Sequence, residues 1–169
     1  MLDAERNTVF EGWIDAHKAI LFKVARVYGA THADREDLFQ EIALQVWHSV
    51  EAYRGDCAAA TWIYRVALNT ALAWRRKERK HGEGRQDIEA VTGLLIAPSG
   101  HDPRLEWIYQ QIAELDAASR SLALLMLDGF SYREMSQILG LGESNVGMRI
   151  NRIKAALAAQ LAKEEHHGL

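Results

Sequence analysis

The chain has 169 residues, 49% hydrophobic and 25% charged, with 20 basic side chains against 23 acidic ones. That fits one ordinary domain or two small ones and excludes a fibre or a disordered tail. The longest apolar run, Leu122 to Leu127, falls far short of the ~18 residues that a membrane-spanning helix needs, and charges stand at the start where an export signal would place its apolar stretch. The expectation is a cytoplasmic protein with no membrane insertion. Cys57 is the single cysteine, which excludes an internal disulfide and a thiolate metal cluster.

In chain order, apolar residues recur at helical spacing in three blocks. The first, about 8–29, holds Phe10, Trp13, Ile14, Ile20, Leu21 and Val24; the second, about 34–52, holds Leu38, Ile42, Val46 and Val50; the third, about 59–79, holds Trp62, Ile63, Val66, Ala67 and Trp74. Gly29 stands where the first should end, and Tyr53-Arg-Gly-Asp56 breaks the second from the third. These predict a three-helix bundle over 1–80. Both prolines, Pro98 and Pro103, and four of the twelve glycines fall in 81–103, which predicts a flexible linker.

Past the linker, Asp102-Pro103 reads as an N-cap with proline at the first helical position, opening a helix to Leu115. A second helix is predicted from about Ala117 to Asp128. Ser131 and Glu134 then have capping-box spacing before a short helix that Gly140 stops at Leu139. A longer one follows from about Glu143 to Lys163. A short helix, a glycine-bearing turn and a longer helix describe a helix-turn-helix. The fold class is therefore all-α, with two small helical domains, 1–80 and 104–169, joined by the linker 81–103.

Charge is nearly balanced in each part. Residues 1–80 hold 12 basic and 11 acidic groups, 81–103 one and four, and 104–169 seven and eight. Phosphate binding scales with the Lys and Arg that neutralise it, so tight nucleic-acid binding by the chain alone is not expected. Basic groups do cluster, at Arg75-Arg76-Lys77 and at Arg149, Arg152 and Lys154, which confines DNA contact to short segments.

On the last helix, Val146, Ile150, Ile153 and Leu157 form one buried stripe, and Asn145, Met148, Arg149 and Arg152 lie on the face left for a major groove. On the second helix, Asp37, Gln40, Glu41 and Leu44 share one side while Leu38, Ile42 and Val46 line another. The segment from Tyr53 to Asn69 supplies a loop and a helix start rich in aromatics, with Arg65 and Asn69 one turn apart. Aromatic, Arg and Asn side chains together suit an unstacked base; Trp62 and Val66 at helical spacing more often belong to a core.

These segments resemble a bacterial sigma factor of the extracytoplasmic-function group. The stretch DLFQEIALQVW is similar to the region-two helix that docks on the clamp helices of RNA polymerase, YRGD…TWIYRVALNTALAWRRK to the promoter-melting segment, and LDGFSYREMSQILGLGESNVGMRINRIKAAL to the region-four helix-turn-helix. The resemblance implies that Asp37, Gln40, Glu41 and Leu44 meet core RNA polymerase. It implies that Arg54, Trp62, Arg65, Asn69, Arg75, Arg76 and Lys77 meet the minus-ten element. Arg133, Ser144, Asn145, Met148, Arg149 and Arg152 would then meet the minus-thirty-five element. Promoter DNA and an anti-sigma factor are the implied partners, besides the polymerase. Three departures stand out: Ala58-Ala59-Ala60 where an aromatic is common, Asp116 where a proline is usual, and Gly147 where a basic residue is common.

A free-standing helix-turn-helix regulator that dimerises through residues 1–80 is the second reading. It leaves Asp37, Gln40 and Glu41 without a role. An enzyme is not expected: the seven histidines are scattered without metal-ligand spacing, and no glycine-rich phosphate loop is present. No metal, cofactor or small-molecule substrate is called for.

Overall fold

The computed structural model describes residues 1–81 and 102–167, with side chains as far as Glu78 in the first stretch. Apart from its two ends, the expected linker lies outside the described residues. Those residues form seven α-helices and one 3-10 turn, and no strand occurs among them. They divide into two compact units, Met1–Leu105 and Glu106–Leu169.

The first unit packs α1 (Asp3–Tyr28), α2 (His32–Ser49) and α3 (Ala59–His81) pairwise against one another. Their apolar stripes meet in a core where Leu21, Val24, Leu38, Ile42, Val46, Ile63, Ala67 and Leu68 are almost fully buried. Burying each Leu, Ile or Val side chain contributes roughly 1.5–3 kcal/mol, the main force holding the three helices together.

α1 starts at Asp3, earlier than apolar spacing predicts. Its first turns carry Asp3, Glu5, Arg6 and Asn7, which have no core face to advertise, and they are held from outside. The Arg6 guanidinium lies over the Trp47 ring, 4.4 Å from its centre, and pairs with Glu51. Trp47 Nε1 donates to Asn7 Oδ1 at 2.7 Å. The Glu51 carboxyl is accordingly held below its ordinary pKa, chiefly by the hydrogen bond from Arg6.

Gly29 ends α1, as its position predicts, donating its N–H to Ala25 O at 2.9 Å. Its φ of −85° is open to any residue. The need for glycine is steric: a Cβ there would stand 2.7 Å from Arg35 Cγ and 2.9 Å from both Arg35 N and Ala25 O. Arg35 Nε donates to Gly29 O at 3.0 Å, which clamps the corner between α1 and α2. α2 begins at His32, ahead of the expected start, because Thr31 caps it. Thr31 Oγ1 accepts from Asp34 N at 3.1 Å and Asp34 Oδ2 accepts from Thr31 N at 3.3 Å. A 3-10 turn, Val50–Ala52, closes its far end.

From Glu106, the second unit comprises the rest of α4 (Pro103–Ala113), α5 (Ala117–Leu127), α6 (Tyr132–Leu139) and α7 (Glu143–His166). Asp102 Oδ1 accepts from Arg104 N at 2.9 Å, the cap expected before Pro103. α5 and α6 both pack on α7. Ile112, Leu122, Leu124, Leu125, Met135, Val146, Ile150 and Ile153 form the core. Ser131 Oγ caps α6 by accepting from Glu134 N at 3.1 Å. Gly140 ends it at φ 70°, a left-handed conformation that a side chain disfavours, and Ser136 Oγ donates to Leu141 O to lock the turn into α7.

Candidate docking face and nucleic-acid interface

Three surfaces carry the candidate residues. On α2, Asp37, Gln40 and Leu44 are exposed and Glu41 is half-buried, directly opposite the buried Leu38, Ile42 and Val46. At ~100° per residue the four fall within an arc of roughly 100°, so the expected face is assembled. Leu44 is 48% exposed, an apolar side chain at the C-terminal end of this face. Glu41 Oε1 accepts from Gln45 Nε2 at 3.0 Å, which steadies one of those carboxylates.

Beside this face lies a groove of about 300 Å³ lined by Phe22, Ala25, Arg35, Glu36, Phe39 and Gln40. Phe22 and Phe39 stack across the helix pair with ring centres 4.5 Å apart. Burial lowers the pKa of Arg35, partly offset by Asp34. Sequence spacing gave no sign of the groove, because Phe22 and Phe39 come from different helices and flank the core stripes.

The second surface is the loop after the 3-10 turn and the outer side of α3. Tyr53 fits between two indoles, with its ring 5.1 Å from Trp13 and 5.6 Å from Trp62. Its hydroxyl donates to Cys57 O at 2.6 Å. Trp62 Nε1 donates to Ser49 Oγ at 3.0 Å. The loop is thus pinned at both ends while Arg54, Gly55, Asp56 and Ala58 stay exposed. Gly55 takes a φ of 78° at its tip, where a Cβ would be strained.

Along α3, Trp62, Arg65, Asn69 and Arg76 fall within roughly 60° of one another. Asn69 and Arg76 are exposed, and Trp62 and Arg65 half-buried. Lys77 is exposed at the margin. Arg75 stands apart, about 100° round from Arg76, half-buried and with its Nε enclosed and lacking a hydrogen-bond partner. Cys57 is a free thiol of intermediate exposure in this loop.

The third surface is α7. Ser144, Met148, Asn151 and Arg152 point outward, opposite Val146, Ile150 and Ile153, and Asn145 and Arg149 are half-buried on one flank. Arg149 Nε donates to Asn145 Oδ1 at 3.2 Å. Arg133 is exposed in the first turn of α6. Two more residues belong here. Asn151, within a turn of Arg149 and Arg152, sits in the middle of the outward face. Tyr132, 39% exposed, rests where a Cβ on Gly147 would meet its Cε2 at 3.4 Å. Only tertiary packing brings Tyr132 to α7.

Asp116 is explained by the same unit. It is the N-cap of α5, its Oδ1 accepting from Ser119 N at 3.0 Å and its Oδ2 from Ser119 Oγ at 2.9 Å. The Ser119 N–H holds its pKa below the ordinary value, burial opposes, and the Ser119 hydroxyl and the charge of Arg149 add to the lowering.

No helix among the described residues is long and apolar enough to cross a membrane. Residues 3–81 match the family model for Sigma-70 region 2, and residues 105–157 match that for Sigma-70, region 4. The chain is 29% identical over 160 residues to the RNA polymerase sigma factor NccH of Alcaligenes xylosoxydans xylosoxydans, covering 90% of this chain and 86% of that one. It is 27% identical over 142 residues to the ECF RNA polymerase sigma-E factor of Escherichia coli K12, covering 73% and 72%. The fold matches that of CnrH in complex with the cytosolic domain of CnrY (TM-score 0.66, 24% identity, 95% of each chain). It also matches RpoE of Bartonella quintana in complex with the anti-sigma factor NepR (TM-score 0.73, 22% identity, 90% and 96%).

Proposed function

The chain belongs to the sigma-70 family, in its extracytoplasmic-function group, and from that premise we propose a division of labour among its three surfaces. It is an alternative sigma factor: it associates with core RNA polymerase and directs promoter recognition, DNA melting and initiation. Its family comprises transcription initiation factors and not enzymes. The free-standing regulator reading finds no support, since residues 3–81 match region 2.

The proposal gives residues 1–80 the polymerase and the minus-ten element, and 104–169 the minus-thirty-five element, with 81–103 as the link. Asp37, Gln40 and Glu41 with Leu44 dock on the clamp helices, carboxylates against basic groups and one exposed apolar side chain beside them. Arg54, Arg65 and Asn69 receive an unstacked base beside the pinned loop. Trp62 supports that loop from below. Arg76 and Lys77, with Arg75 at the flank, meet backbone phosphates. Ser144, Asn145, Met148, Arg149 and Arg152 enter the major groove, with Arg133 on phosphate. The protein acts in the cytoplasm, where the polymerase is.

The single observation that supports this most is the coexistence, on one small bundle, of an acidic outward face on α2 and a basic outward stripe on α3. One suits a basic protein surface, the other DNA. Each contact is weak alone, and a polymerase that carries both makes the second effectively intramolecular. The CnrY and NepR complexes of the structural neighbours support control of this chain, too, by an anti-sigma protein that covers such surfaces.

Run-off transcription with purified core polymerase on a genomic fragment pool tests the reading. Shared sequence is expected at both promoter positions. Asp37→Ala and Gln40→Ala should weaken polymerase binding, and Arg149→Ala should blur the upstream preference alone. A purified chain that fails to bind core polymerase overturns it.

A further inference from the structure

We propose that Tyr132 and Met148 read thymine 5-methyl groups in the major groove of the upstream promoter element. This deepens the assignment of α7 given above and rests on it. Met148 is 57% exposed and Tyr132 39% exposed, so both keep apolar surface open to a partner. The Tyr132 ring rests against α7 at Gly147, where an added Cβ would meet Tyr132 Cε2 at 3.4 Å and Cδ2 at 3.6 Å, ordinary contact distances.

At ~100° per residue, Gly147 and Met148 stand on either side of Ser144 and Asn151 on the outward face of α7. Two apolar surfaces therefore flank two polar groups. The thymine methyl is the apolar feature that base pairs present in the major groove, between the hydrogen-bonding edges that Ser and Asn can address. The charge around the patch selects DNA over a protein partner as the occupant: Arg133, Arg149, Arg152 and Lys154 outnumber Glu134 and Glu143 on the first turn of α6 and the same stretch of α7. Tyr132 supplies its ring for this contact, so its hydroxyl is dispensable.

The test uses the full chain on core polymerase and the promoter recovered from the fragment pool. Each thymine of the upstream element is replaced by deoxyuridine, which removes the methyl and leaves every hydrogen-bonding group. Promoter affinity should fall about fourfold for each methyl that is read. Tyr132→Ala and Met148→Ala should each become indifferent to the replacement at one position, whereas Tyr132→Phe should respond as the native chain does. An upstream element without thymine on either strand, equal affinity for the deoxyuridine promoter, or alanine variants that still respond would overturn the assignment while leaving α7 as the reading helix. A pool that yields no shared upstream sequence overturns the reading of α7 itself.

Discussion

The indole N–H of Trp62, at the start of α3, donates to Ser49 Oγ, at the end of α2, over 3.0 Å. That bond fastens one end of the loop that presents Arg54, and the Tyr53 hydroxyl on Cys57 O fastens the other. Trp62→Phe keeps an aromatic ring beside Tyr53 but deletes the bond and shrinks the ring. It should cost about 1 kcal/mol, lowering the melting temperature of the sigma factor by roughly 4–8 °C, as read by circular dichroism. An unchanged melting temperature would contradict the structural role given to this ring.

Gly29→Ala should destabilise by about 1–3 kcal/mol, through overpacking and without backbone strain. The new methyl meets Arg35 Cγ, Arg35 N and Ala25 O, and two of those atoms are backbone. Adding Arg35→Ala frees one clash of the three and removes the bond to Gly29 O, so the double variant should not recover. Urea midpoints at constant slope measure both.

The Asp116 carboxyl has a lowered pKa in the folded chain, first through the Ser119 N–H. A group shifted this way contributes stability above its unfolded pKa, about 3.9, and the contribution fades as pH falls through the folded value. Asp116→Asn retains a capping oxygen and should flatten this part of the acid loss below pH ~4. Asp116→Ala should cost about 1 kcal/mol at neutral pH. Urea unfolding at pH ~7 and pH ~3 compares the three chains, and parallel acid losses in all of them would refute the assignment.

Gly147→Ala should stabilise the second unit by up to about 1 kcal/mol, because glycine is the poorer helix former and the added methyl makes only ordinary contact with Tyr132. Thermal melts decide the sign. Gly147→Lys, by contrast, adds a long cationic side chain beside the Tyr132 ring, so its effect should appear in promoter preference.

The helices of the second unit lie close to where caps and spacing predict them: Asp102-Pro103, Ser131 and Gly140 are local signals, readable residue by residue. The faces of α2 and α7 were equally legible, since a helix sorts side chains by angle. What escaped depends on partners distant in the chain. The first turns of α1 are held by Trp47 and Glu51, Gly29 answers to Arg35, the groove joins Phe22 to Phe39, and Tyr132 meets Gly147 across a turn. Asp116 is intelligible only as the cap of α5, a role that lies in the bonds to Ser119. Arg75 looked equivalent to Arg76 in a basic run, and helical rotation separates them.

Arg149 does not project loosely from α7. Its Nε already rests on Asn145 Oδ1, and its charge bears on Asp116. A side chain anchored in this way has little slack with which to accommodate an ill-matched base. On the proposed assignment of α7, promoter recognition should therefore be least forgiving at the base pair given to Arg149 and more permissive at that given to the exposed Arg152.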